Sequence, residues 1–485
     1  MFNKFILAAT IAVSGTSIFA QHHKAPNEAV KMNLSLTAAK TNPALFLKAP
    51  TTLWEDNADE SWYSATATEF TLTTAAQVAG LAKIVNAGNS FEGKTIIFGN
   101  DMDFAAHLWM PIGKGYEYPF SGTIKGEGKT VSNIFINIPE GDFVGFVGQM
   151  YGGRMENLNG DTFTISAADT TGSLVGNLST GSTMENCHAK KVTIEVTGYN
   201  AGGLVGGILT DSHVTRSSAE ANVTGVNQIG GFVGTVWDKT SVTESYAKGE
   251  VSGQYIVGGF VGFSTMAFGA GRDNTITDSY SVANVYAALE RVGGFYGGAQ
   301  FNAITNNVYS AGTVNGSNMV GGHAGFVGSM QVSNIYYDNT LAPFDAVGTF
   351  EGPPAEYDIQ GLPTEAMKTQ NLVDLLNASR PEAVWFIDEN INGGYPILEF
   401  EQTLSTTDVN SAQKIKVYPT LVTDVIFVDS KEKNTGFTVV DFSGRIVKSG
   451  MVSNGQVNLS SLPKGNYILV VSGASQKSSH KFIKK

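Results

Sequence analysis

Cysteine is almost missing from this chain of 485 residues. Cys187 stands alone, so no intrachain disulfide can form and stability must come from packing and hydrogen bonds. Charge is scarce, at 15% of residues, and proline is low, at 14 residues. No apolar run approaches the roughly 20 residues that a membrane-spanning helix needs. There is no EF-hand loop, glycine–aspartate nonapeptide run, nucleophile elbow, phosphate loop or CxxC pair. Each would mark a specific metal, catalytic or nucleotide chemistry. The GxG runs are followed by no helical pattern, so they are turns rather than dinucleotide loops. A strict three-residue glycine period is lacking as well, which excludes collagen.

What is present is glycine, 56 residues of it, and a hydrophobic share of 42%, enough for a real core. The net charge of −12 hides an asymmetry. Residues 414–485 hold eleven Lys or Arg against four acids, whereas residues 21–413 hold 19 bases and 39 acids. Phosphate binding needs clustered cations. The acidic body therefore argues against nucleic acid and anionic membranes as partners. The opening stretch MFNKFILAATIAVSGTSIFA has Lys4, an apolar run from Phe5 to Val13 and Ala20 before Gln21. It reads as a secretory signal peptide over 1–20, cleaved after Ala20.

The dominant signal is internal repetition. A phrase of the type Gly-Gly-Phe/Leu-Val-Gly ends at Gly148, Gly176, Gly206, Gly234, Gly262 and Gly297, with spacings of 28, 30, 28, 28 and 35. A modified copy, VGGHAGFVG, reads as ending at Gly328. After each phrase come two further β-favouring segments. Three short strands per period of 28 residues describe one coil of a right-handed parallel β-helix. Coils stack about 4.8 Å apart, so equivalent residues form ladders. Aligning MENL, MENC, VTRS, VTES, ITDS, ITNN and VSNI places Thr215, Thr243, Thr277 and Thr305 in one outer ladder. Asn157, Asn186, Arg216, Glu244, Asp278, Asn306 and Asn334 form the next column, and Cys187 shares a small-residue column with Ser217, Ser245 and Ser279.

The flanks divide the rest. Residues 21–60 read as an irregular lead, and 61–140 as an N-terminal cap with the first coils. That cap includes a Thr-capped helix from about Thr74 to Asn86, with Val78, Leu81, Ala82 and Val85 on one face. Residues 141–345 are the repeat solenoid, 346–400 its C-terminal cap, 401–413 a polar linker and 414–485 a separate domain.

The repeat phrases, with NDMDF, WMPIG and PFSGTIKGEGKTVSNI before them and LPTEAMKTQNLVDLLN and VWFIDENINGGYPIL after, resemble the GLUG-repeat proteins of bacterial cell surfaces. The resemblance covers roughly 65–400. It implies a parallel β-solenoid at the cell surface with an adhesive or recognition role. Some relatives are zinc peptidases, but HExxH is absent, and His107, His188, His213 and His323 have no helical i+4 histidine partner. The last segment is similar to the type A sorting domains of the type IX secretion system. The matching stretches are VYP, DFSGRIV, LPKGNYIL and the terminal KFIKK, which hold Tyr418, Pro419, Gly444, Gly465 and Tyr467. Thr420 and Leu421 depart from the usual turn after Tyr-Pro. The resemblance implies a small β-sandwich read by the secretion machinery. The expected fold is thus all-β, a capped β-solenoid plus a sorting domain.

Chemistry has one candidate constellation. Arg216, Glu244 and Asp278 come from successive coils, and Glu244 and Asp278 could approach the roughly 5–5.5 Å separation of a retaining glycosidase. Trp237 could offer an aromatic face to a sugar. Against this, a column rich in Asn reads as a turn ladder, and Arg216 beside Glu244 as an exposed ion pair. Asp101 and Asp103 in NDMD are candidate calcium ligands, or turn residues. No other cofactor is implied. The favoured reading is a secreted or surface-attached solenoid. It displays a polar face, including Thr215, Thr243, Thr277 and Thr305, to a glycan, matrix polymer or cell. The leading alternative is a carbohydrate-active enzyme acting on extracellular polysaccharide, and the third is a structural spacer.

Overall fold

The computed structural model describes residues 49–265, 273–301, 303–351, 357–378, 380–402, 416–418, 421–429, 436–441, 445–453, 455–472 and 477–485. The expected signal peptide, the linker core, Pro419 and Gly444 lie outside the described residues. The chain divides into two compact units, Met1–Leu398 and Glu399–Lys485.

The first unit is a parallel β-solenoid of about 9 turns. Each coil begins with a three-residue strand. These pair in series as Thr123–Lys125, Arg154–Glu156, Thr183–Glu185, His213–Thr215, Ser241–Thr243 and Thr275–Thr277. We call this the short face. A longer second face follows, as in Asn159–Ala167, His188–Val196 and Ser218–Thr224. The third face is an all-parallel eight-stranded sheet that runs in chain order from Val147–Tyr151 through Val233–Trp237 to Val347–Phe350. Alternation in each strand sends one side chain inward and the next outward. The inward set forms one continuous core.

Two corners explain the repeat. Between the short and second faces sits one residue with left-handed backbone. These residues are Asn157, Asn186, Arg216, Glu244, Asp278, Asn307 and Asn334, with φ between 47° and 54°. Asn tolerates that conformation better than other non-glycine residues, which accounts for its frequency in the column. The second corner is the Gly-Gly phrase, where glycine is needed for close approach. A Cβ on Gly234 would stand 2.5 Å from the Asn200 carbonyl carbon and 2.7 Å from the Ala201 nitrogen, both backbone atoms of the preceding coil. The residue after Gly-Gly points inward, and Phe232, Phe260 and Phe295 stack at 4.7 and 4.8 Å between centroids.

Register corrects three expectations. Ile276 pairs with Thr305, and Thr305 with Val332, so Thr277 aligns with Asn306 rather than with Thr305. Thr305 therefore leaves the outer ladder. It is fully buried, and its hydroxyl bonds the Tyr296 hydroxyl at 2.8 Å. By the same one-residue step Asn307, not Asn306, belongs to the left-handed column. Ala324 pairs with Tyr296, so the seventh phrase is Gly-Gly-His-Ala-Gly and ends at Gly325 rather than Gly328. Gly325 lies 28 residues after Gly297, restoring the usual period.

Helix α1 (Ala75–Asn86) is capped by the Thr74 hydroxyl, which accepts from the Gln77 amide. Its buried face carries Val78, Leu81, Ala82 and Val85 as expected. The end of the lead joins this cap, since Leu53 bridges Leu108 and the buried Trp54 indole donates to the Phe104 carbonyl at 3.0 Å. After the last coil come α2 (Thr364–Met367), α3 (Gln370–Asn377) and a hairpin of Trp385–Phe386 with Ile397–Leu398. This segment folds back along the flank of the solenoid. There Trp385 and Tyr395 cover a stack of outward tyrosines that includes Tyr280 and Tyr309.

The second unit packs a three-stranded sheet and a five-stranded sheet around Val422, Ile426, Val439, Leu469 and Phe482.

Candidate functional site

The short face presents its outward residues in two columns. One runs Glu156, Glu185, Thr215, Thr243, Thr277, Asn306 and Ser333, fixed by strand register. Within it the Thr243 hydroxyl donates to the Thr215 hydroxyl at 2.9 Å, and the Ser333 hydroxyl to Asn306 Oδ1 at 2.7 Å. The other column includes His213 and Ser241, bonded at 2.7 Å. Each coil thus contributes two outward groups at fixed height. Towards the N-terminal coils the same face turns ionic, with Arg154 at 2.6 Å from Glu156 and 2.9 Å from Glu185.

Glu244 and Asp278 do lie in one column with Arg216, at its left-handed corners. Their surroundings differ from an open cleft. Arg380, just beyond α3, forms an ion pair with Asp278 through Nη1 and approaches Glu244 Oε1 at 3.7 Å through Nη2. Asp278 is only 2% exposed. It also accepts from the Trp385 indole at 3.3 Å and from Asn307 Nδ2 at 3.2 Å. Arg216 is exposed. Asp278, one of the two candidate carboxylates, thus fastens the returning C-terminal segment to the coils. Nothing in the sequence ties Trp385 or Arg380 to Asp278, because the segment holding them has no period to align.

Cys187 is fully buried beneath the short face. Burial pushes its thiol up to about 12, so it stays protonated near neutral pH. Its neighbours show why the column wants small groups. The Ser217, Ser245 and Ser279 hydroxyls each accept the amide of the equivalent residue one coil earlier, at 3.2 Å. Each donates to the carbonyl two residues back in its own coil.

Trp237 ends its third-face strand between Leu209 and Thr265 in the ladder and is partly buried. Asp101 Oδ1 accepts from the Thr130 amide at 2.8 Å. Asp103 Oδ1 accepts from the Ala105 amide at 2.9 Å and Asn133 Nδ2 at 3.0 Å. Both aspartates therefore tie their loop to the next coil, and Asp103 also ties it to itself. Among the described residues no group of three or more His, Cys, Asp or Glu is placed to hold a metal ion.

In the second unit, Tyr418 closes the strand Lys416–Tyr418 opposite Phe427. Gly465 opens the strand Gly465–Ser472. Tyr467 is buried against Phe482, and its hydroxyl donates to the Pro463 carbonyl at 3.0 Å.

Fold and surfaces together define a parallel β-solenoid joined to a small β-sandwich. Comparison with known families gives each part its type. Residues 197–224, which span one full coil, match the GLUG motif, and residues 416–485 match the secretion system C-terminal sorting domain. The chain carries both, and its sorting domain is of the type IX kind. No curated protein and no solved structure matches the chain. The sorting domain engages the type IX secretion machinery and directs the protein to the outer cell surface or into the medium. Among the described residues no helix is long and apolar enough to cross a membrane.

Proposed function

We propose that this exported solenoid is an adhesin-like binding protein whose short face is its contact surface. The supporting observation is the register-locked column Thr215, Thr243, Thr277, Asn306 and Ser333, held at constant spacing on a parallel sheet. A rigid row of hydroxyl and amide groups suits a repetitive partner such as a glycan or matrix polymer. Many weak contacts at fixed intervals then add up to avidity. The enzymatic alternative is less favoured, because Arg380 and Trp385 occupy the side of Asp278 that a substrate would need.

Glycan arrays and matrix-coated surfaces, probed with the full chain, test this reading. Binding without turnover that falls when Thr215, Thr243 and Thr277 all become Val supports it. Unchanged binding in that variant, or no binding to any surface, overturns it. Polysaccharide degradation abolished by Glu244→Gln with folding intact would instead establish the enzyme.

A further inference from the structure

The third face contains a polar network that neither the repeat nor the tail requires. Its outward column runs Gln149, Asn177, Gly207 and Thr235. Gln149 and Asn177 are both fully buried. Gln149 Nε2 donates to the Met150 carbonyl at 3.2 Å and to Ser179 Oγ at 2.8 Å. A backbone carbonyl can only accept, so this contact fixes the orientation of the Gln149 amide. Its Oε1 then accepts from Asn177 Nδ2 at 2.8 Å, which fixes the Asn177 amide in turn. Asn177 Oδ1 is left with no hydrogen-bond partner among the described residues. A buried acceptor without a donor costs about 1–3 kcal/mol and calls for an explanation.

That oxygen lies over Gly207, the one position among these four with no side chain. A Cβ there would meet Asn177 Oδ1 at 3.0 Å, Thr235 Cγ2 at 3.5 Å and Thr170 Cγ2 at 3.7 Å. The site is thus a closed notch with a glycine floor, two methyl walls and one acceptor shielded from solvent. Tyr116, in the turn Gly115–Glu117, approaches the same Asn177 amide from its nitrogen end. Its hydroxyl reaches Asn177 Nδ2 only at 3.5 Å, the outer limit of a hydrogen bond. Tyr116 is 59% exposed, and its ring packs edge-on against Phe143 at 5.0 Å. Tyr151, on the same face, is 45% exposed.

We propose that this notch binds a sugar unit of a neutral glycan. A ligand hydroxyl donates to Asn177 Oδ1, the carbon-bound hydrogens of the sugar lie on the Thr170 and Thr235 methyl groups, and the Tyr116 ring pivots to stack on the sugar. The recognising group is a single uncharged acceptor set among methyl groups and aromatic faces. That combination suits a polyhydroxylated, uncharged ligand better than an ion. The inference rests on the adhesion reading and deepens it by naming a ligand class and a second place on the surface.

The test uses the full chain on an array of neutral hexose and N-acetylhexosamine oligosaccharides, with the strongest hit titrated calorimetrically. Gly207→Thr fills the notch with a residue the column already holds at Thr235, and Tyr116→Ala removes the exposed ring. Each variant should weaken binding about tenfold, the worth of one hydrogen bond or one ring contact, with the melting temperature unchanged. If both bind as the parent does, the notch holds a water and the proposal fails, while the adhesion reading stands on the Thr215, Thr243 and Thr277 variant. If the parent binds no saccharide at millimolar concentration, the proposal fails outright, and matrix binding alone then decides the adhesion reading.

Discussion

His323 stacks on Phe295 with ring centroids 5.3 Å apart and 12° between planes, in the column that Phe232, Phe260 and Phe295 fill. The imidazole is fully buried, and neither ring nitrogen has a partner among the described residues. Burial pushes its pKa down from the ordinary 6.5 to about 3. Between those two values the unfolded chain binds a proton that the folded chain does not. The contribution of the neutral His323 imidazole is therefore complete above pH 6.5 and is lost as the pH drops towards 3, by about 1.4 kcal/mol per unit. His323→Phe should extend the aromatic stack, raise stability at pH 7 by roughly 1–3 kcal/mol and flatten the acid limb. Thermal melts of both proteins at pH 7 and pH 5 check this. Parallel pH slopes would show that the buried imidazole is not the cause.

That position also shows where sequence reading stopped. The period, the Gly-Gly corner and the asparagine turn were legible, because stacking demands the same residue type in every coil. His323 was misplaced because Gly-Gly-His-Ala-Gly sits beside a better imitation of the motif, GFVG, three residues later. Thr305 was misread for a related reason. Ile304 beside it looks like the inward residue, yet Thr305 can face inward because the Tyr296 hydroxyl satisfies it. The clasp on Asp278 was invisible, since Arg380 lies 102 residues away in an aperiodic segment.

The left-handed column makes a second prediction. Arg216 holds φ 51° at an exposed position, where Asn186 and Asn157 in the preceding coils bond side chain to side chain at 2.7 Å. Arg216→Asn should stabilise the solenoid by about 0.5–1 kcal/mol, because Asn adopts this backbone with less strain. Asn186→Val should do the opposite, since a β-branched residue resists positive φ. Denaturant midpoints measure both, and a lower midpoint for Arg216→Asn would contradict the strain argument.

Arg380→Ala should release the C-terminal segment while leaving the coils folded. The change leaves Asp278 buried without its cation, at a cost of roughly 3 kcal/mol, the low end for a broken buried pair because Arg380 keeps part of its surface in water. Hydrogen exchange should quicken across 364–400 and at the Trp385 indole, with the third-face strands as protected as before. Uniform exchange across both regions would mean that the clasp contributes little.

Gly234, in the Gly-Gly phrase, and Gly181, in the turn between the third-face strand Val175–Ser179 and the short-face strand Thr183–Glu185, should respond in opposite ways. At Gly234 a methyl group would collide with the backbone of Asn200 and Ala201, which cannot yield without separating two coils. Gly234→Ala should therefore cost more than the roughly 1–3 kcal/mol of ordinary overpacking and should leave much of the protein insoluble. Gly181 has φ 74° and nothing within 4 Å of its missing Cβ. Gly181→Asn keeps a residue suited to that backbone and should melt within a degree or two of the parent. Soluble yield and melting temperature of the two variants separate the explanations. Equal tolerance at both sites would mean that coil spacing relaxes around Gly234, and the repeat would then need another reason for its third glycine.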